Sequence, residues 1–102
     1  MEKFLEVSEK IYDMEETMRE FEHVIREDVG LHARPAGLLV REASTMSSVV
    51  TVECKGKKAE AKKLFGIMGL SAECGDTVRV TVEGKEEERD AERLRSFFEK
   101  NF

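Results

Sequence analysis

A chain of 102 residues with 40% hydrophobic and 38% charged residues has room for one small core, since domains commonly hold roughly 100–150 residues. That length excludes a large two-domain enzyme with an active site between its halves, and the composition is neither collagen-like, low-complexity nor disordered. The net charge of −5 is unevenly placed: residues 1–21 hold seven acids against three bases, and residues 22–102 hold fifteen acids against fourteen bases. Nucleic-acid binders carry a basic surplus; this chain has none, so nucleic acid is not an expected partner.

Residues 2–21 contain no Gly or Pro, and Phe4, Val7, Ile11, Met14, Met18 and Phe21 recur at alternating steps of three and four. That spacing predicts an amphipathic helix with a heptad seam. Residues 22–26 follow as a short strand and residues 27–30 as a loop. Pro35 sits where a helix over 35–46 begins, a position at which its missing N–H costs nothing. Leu38, Leu39, Ala43 and Met46 form the apolar face of that helix.

Residues 48–54 alternate, with Val50, Val52 and Cys54 on one side, and read as a strand. Lys55-Gly56 is a turn, and residues 57–62 pair back with Ala59 and Ala61 inward. The spacing of Leu64, Ile67 and Met68 favours a short helix within 64–70, despite Gly66 and Gly69. After a turn at Cys74-Gly75-Asp76, residues 77–83 form a strand with Val78, Val80 and Val82 inward. Residues 86–100 close the chain as a helix. Glu86, Glu87 and Glu88 lie in its first turn, and Ala91, Leu94, Phe97 and Phe98 are on its buried face.

The body from residue 22 therefore reads βαββαβα. Thr51, Glu53, Lys58, Glu60, Arg79 and Thr81 fall on the polar side of their strands. This pattern implies an α+β fold: a four-stranded antiparallel sheet with three helices on one face and water on the other. Two units are expected, an amphipathic N-terminal helix over 1–21 and a domain over 22–102.

Cys54 and Cys74 form no CxxC pair, and two His supply no zinc pattern. They read as small, partly buried side chains in a reducing compartment. No apolar run reaches the roughly 20 residues of a membrane span, so no membrane insertion is expected. The first residues also lack a signal peptide's basic start and apolar stretch, which points to the cytoplasm.

Gly30-Leu31-His32-Ala33-Arg34-Pro35-Ala36 is the stretch richest in chemistry. Backbone N–H groups at a helix start favour an anion, and Arg34 adds a permanent cation near His32. Imidazole is well suited to accept and release a group near neutral pH. Together they can hold a phosphoryl group on a ring nitrogen. By local pattern alone, His32 could equally cap the helix with Arg34 in solvent. No Ser, Cys or carboxylate set suggests an independent hydrolytic site. His23 has no Gly turn or cation beside it at the start of the first strand, and reads as structural.

The stretch 30–36 resembles the active-site signature of HPr, the histidine-containing phosphocarrier family of the bacterial phosphotransferase system. The likeness continues through Lys55-Gly56-Lys57-Lys58, Ala61 to Leu70, Gly75, Val78 to Val82 and the last helix, covering about residues 22–102. It implies an HPr-like open-faced β-sandwich and a carrier without turnover of its own. His32 would take phosphoryl on Nδ1 from Enzyme I and pass it to a sugar-specific EIIA domain. Arg34 would neutralise the group, and no metal or organic cofactor would take part. Leu64, Phe65 and Met68 match the family's apolar docking patch, although without the family they read simply as core.

Two departures stand out. Where one branch of the family begins its short helix with a regulatory Ser, this chain has Lys63, so Ser-type phosphorylation is not carried over. Residues 1–21 also lie outside the ordinary family domain. Their seam suits a homo-oligomeric helix pair or bundle, another protein, or the sheet's own polar face, where Val24 and Val49 offer little apolar surface. The alternative reading of the chain is an HPr-like regulatory module that docks on other proteins.

Overall fold

The computed structural model describes residues 18–102, in the order β1 (Met18–Val24), α1 (Ala33–Ser44), β2 (Val49–Cys54), β3 (Lys57–Glu60), α2 (Leu64–Met68), β4 (Thr77–Glu83) and α3 (Glu87–Asn101). The expected βαββαβα body is present. Its four strands form a fully antiparallel sheet in the order β1-β4-β2-β3.

The inner face follows the alternation of the β-branched residues. Val50, Val52 and Cys54 of β2 and Val78, Val80 and Val82 of β4 are all buried. They share one core with Leu39 and Ala43 of α1, Ile67 of α2 and Ala91, Leu94 and Phe98 of α3. Among the described residues, no element covers the other face. At its centre Arg79 lies 2.9 Å from Glu20, 3.7 Å from Glu22 and 3.8 Å from Glu53. Such half-exposed ion pairs each contribute little, because water screens them.

The first strand corrects the sequence reading. The expected helix over 2–21 overran into it: Met18 to Phe21 are strand, paired with β4 from Met18↔Glu83 to Val24↔Thr77. A step of three keeps Met18 and Phe21 on one side of a helix but puts them on opposite faces of a strand. Met18 is 42% exposed, whereas Phe21 is buried with its ring edge-on to Phe98 at 5.7 Å. Phe21 and His23 face inward in the strand, and Ile25 is buried just past it. The hydrogen-bonded ladder to β4 and the burial of Phe21 outweigh the local helical spacing. The first strand thus includes Met18 rather than starting at residue 22. The remainder of the expected helix, residues 1–17, lies outside the described residues.

The other boundaries shift less. α1 begins at Ala33 and ends at Ser44, each two residues earlier than expected, and Met46 is buried beyond its end. β3 stops at Glu60, and Ala61 follows it into the core, its N–H donating to the Val50 carbonyl at 2.8 Å. In the first turn of α3, Glu87 and Asp90 are buried. Ser48 Oγ donates to Asp90 Oδ2 at 2.6 Å, and the Gly84 N–H donates to Glu87 Oε1 at 3.2 Å. Glu87 thus reaches back over the helix start and satisfies a donor just ahead of it.

Candidate functional site

The loop between β1 and α1 is held from behind by backbone. Gly30 takes φ +65°, and a Cβ there would lie 2.1 Å from the Ala72 carbonyl oxygen. Only glycine fits this approach. The same oxygen accepts the Leu31 N–H at 2.8 Å, and the Leu31 side chain is buried. The Glu27 carbonyl accepts the Gly30 N–H at 2.9 Å. The loop is therefore anchored right up to the residue before His32.

His32 is the N-cap of α1, with extended backbone at φ −120° and ψ 154°. Its side chain makes no capping hydrogen bond and is exposed. The plain helix-cap explanation of this histidine is thereby removed, and the ring is left to solvent. Ala33 follows at φ +39°, in a region that costs a non-glycine residue free energy and recurs at functional sites. Arg34 is exposed, with no ion-pair partner among the described residues. Pro35 and Ala36 are buried and dock the first turn on the core.

A depression of about 610 Å³ opens here, lined by Glu27 and Val29 of the loop, by His32, Ala33, Arg34, Pro35 and Leu38, and by Lys100, Asn101 and Phe102. His32 and Arg34 both line it. Lys100 was not singled out from sequence. A basic residue in a last helical turn reads as a complement to the helix dipole, and only the packing of α3 beside the loop reveals its second place. The depression offers two cations and the N–H groups of a helix start to an anion beside an imidazole.

The short helix α2, which packs on α1, turns Ile67 into the core. Phe65 is 83% exposed and Leu64 37% exposed, while Met68 is half-buried against the core. The three residues of the expected docking patch therefore divide, with Leu64 and Phe65 presented to solvent and Met68 mostly structural. Lys63 caps α2 without a side-chain hydrogen bond and lies 4.0 Å from Glu60 Oε1.

The remaining candidates resolve simply. His23 lies near the end of β1 rather than at its start, and is buried edge-on to Phe98 at 5.4 Å. Burial holds its pKa below the ordinary 6.5, and nearby Arg26 adds to this, although the Phe102 backbone pulls the other way. The sequence reading that no cation stands near it is corrected by Arg26. Cys54 is buried, which pushes its thiol pKa up, whereas Cys74 is exposed rather than partly buried. No helix among the described residues is long and apolar enough to cross a membrane.

Fold and site together define a small α+β domain that offers an open, cation-flanked histidine on its surface rather than an enclosed catalytic cleft. The family model described as the PTS HPr component phosphorylation site matches residues 19–100. The HPr-like protein Crh of Halalkalibacterium halodurans is 42% identical over 71 residues, covering 70% of this chain and 84% of that protein. The phosphocarrier protein HPr of Xylella fastidiosa is 35% identical over 85 residues, covering 83% and 96%. The crystal structure of HPr-C-His from Thermoanaerobacter tengcongensis superposes with a TM-score of 0.77 at 40% identity, covering 82% of this chain and 94% of that one. The chain belongs to the HPr family of phosphotransferase-system phosphocarriers.

Proposed function

We propose that the chain is a cytoplasmic phosphoryl carrier that works through His32. The Nδ1 lone pair attacks the phosphorus of the phosphohistidine on Enzyme I. A P–N bond to His32 forms as the P–N bond on the donor breaks. Arg34 and the first N–H groups of α1 take up the charge of the phosphoryl oxygens. The same exchange, run onto a histidine of an EIIA domain, unloads the carrier. Leu64 and Phe65 give both partners an apolar surface beside the histidine. Every step is a transfer between nitrogens, so the relay needs no metal and no organic cofactor. The observation that carries this reading is the uncapped, exposed His32 beside Arg34 at the start of α1.

The test is incubation with phosphoenolpyruvate and Enzyme I, followed by mass measurement of acid-labile phosphate. Wild type gains one phosphoryl group and His32→Ala gains none. Equal labelling of the two, or an unlabelled wild type, defeats the proposal.

A regulatory module that docks on other proteins is the second reading. It is favoured by the 42% identity to a relative named HPr-like rather than phosphocarrier. Lys63 cannot accept a phosphate, so such regulation would not run through a modified Ser at that position. The heptad seam ahead of β1 would then serve assembly. Deleting residues 1–17, which leaves β1 whole, lowers the mass in light scattering if the seam oligomerises. An unchanged mass removes that role.

A further inference from the structure

Lys55 has no part in the carrier reading, yet it bonds both ends of the segment behind the His32 loop. It occupies the turn between β2 and β3 at φ +52°, a left-handed conformation uncommon for a lysine. Its Nζ donates to the Ser71 carbonyl at 3.0 Å and lies 3.0 Å from Asp76 Oδ2. The same Asp76 oxygen accepts the Glu73 N–H at 2.9 Å, and the Glu73 carbonyl accepts the Asp76 N–H at 2.9 Å. Ser71 itself sits at φ +54°. One ammonium therefore ties both ends of segment 71–76, and one of those ends is a residue in a costly conformation.

The middle of that segment is the wall of the site loop. Ala72 supplies the carbonyl that holds the Leu31 N–H and against which Gly30 fits. The segment is fixed to the rest of the domain through Ile25, whose N–H donates to Asp76 O at 2.9 Å and whose carbonyl accepts the Gly75 N–H at 2.8 Å. Among the described residues, the Lys55–Asp76 pair is the only ion pair on the segment. The path from Lys55 to His32 is short and consists of bonds: Lys55 to Ser71, along the chain to Ala72, across to Leu31, and on to His32.

We propose that Lys55 is a positioning residue for His32, setting the place of the imidazole by clamping segment 71–76 behind Gly30 and Leu31. It does not touch the transferred group. Without the ammonium, Ser71 can relax from its left-handed conformation and Ala72 can withdraw from the Leu31 N–H. For its kinetic consequence this inference rests on the carrier reading.

The test compares Lys55→Met, which keeps the aliphatic stem, with Lys55→Arg, which keeps the cation, both in the full chain. NMR reads the His32 imidazole resonances and the exchange of the Leu31 amide without any partner protein. In Lys55→Met the imidazole resonances move, and Leu31 exchange quickens. A misplaced reacting group loses rate steeply, so the maximal rate of phosphoryl acceptance from Enzyme I falls about tenfold while the half-saturating Enzyme I concentration holds. The buried His23 resonances stay in place, and Lys55→Arg returns every readout to near wild type. Should Lys55→Met not fold, Asp76→Asn weakens the same clamp and is read in the same way. Unmoved His32 and Leu31 signals in a folded variant, or no recovery with Arg, overturn the proposal. If wild type takes no phosphoryl, the carrier reading fails, and the NMR signals alone still support or overturn the positioning role.

Discussion

At the end of β1 His23 is buried edge-on to Phe98, while beyond the next loop His32 stands at the N-cap position of a helix with its ring in solvent and no capping bond. The first region is held by side chains. Phe21, His23 and Phe102 meet Phe98 edge-on, at 5.7, 5.4 and 5.1 Å. The second is held almost wholly by backbone, through Gly30, the Leu31 N–H and the Ala72 carbonyl. The difference shows how a histidine is kept available. Burial penalises the charged ring at His23, whereas backbone anchoring leaves the His32 side chain with no structural duty.

The strongest way to break this contrast is at the rings themselves. His32→Ala is expected to lose all acid-labile phosphate in the Enzyme I assay, while His23→Leu keeps it. Labelling that follows His23 instead would reverse the assignment.

Next in size is Phe98→Ala, which empties the centre of the buried region. Losing a core Phe costs about 3–5 kcal/mol, a large share of the roughly 5–15 kcal/mol that holds a domain together. Chemical denaturation should show this loss, and the His23 titration should move back up toward 6.5 as water enters. A variant as stable as wild type would mean that the Phe98 cluster is not the support described.

Gly30→Ala attacks the backbone-held region. A left-handed site costs a non-glycine residue about 1–3 kcal/mol, and the new Cβ would meet the Ala72 oxygen. The denaturation midpoint falls, and phosphoryl acceptance falls more than stability alone explains. Full activity in a folded Gly30→Ala protein would show that the loop needs no such anchor.

The smallest effect is on the pH dependence of stability. The folded pKa of His23 lies below its unfolded value of about 6.5, so the unfolded chain binds the proton more readily. The contribution of His23 is therefore complete above pH 6.5 and is lost as the pH falls from there toward the folded value. Asp76 follows at lower pH. The Glu73 N–H and then Lys55 hold its pKa below the ordinary 3.8, so its contribution is complete above that value and lost beneath it. Thermal melts should show both slopes, the first flattened in His23→Leu and the second in Asp76→Asn. A His23→Leu protein with the wild-type slope near neutral pH would remove the first assignment.

Much of this was legible in the chain. The alternating valines of β2 and β4 name their own inward face, because the side-chain period of a strand is two and needs no partner to be read. Pro35 after His32 announced a helix start. What misled was Met18 and Phe21, whose spacing continues a heptad. Local periodicity cannot weigh a helix turn against a ladder to a strand some sixty residues away. The burial of Asp90 was not legible for the same reason, since Ser48, which donates to it, comes from a distant loop.

The sequence by itself determined the order of the described elements and the inner faces of the two central strands, and it singled out His32 and Arg34 as candidates, because each is written in neighbours a few positions apart. Only the tertiary structure decided that β1 begins by Met18, that the His32 side chain makes no capping bond, that Phe65 is exposed while Ile67 is buried, that Lys100 lines the depression at His32, and that Lys55 bonds the segment behind Gly30 and Leu31. Those outcomes depend on which distant groups compete for the same space and the same hydrogen bonds, and that competition exists only once the chain has folded.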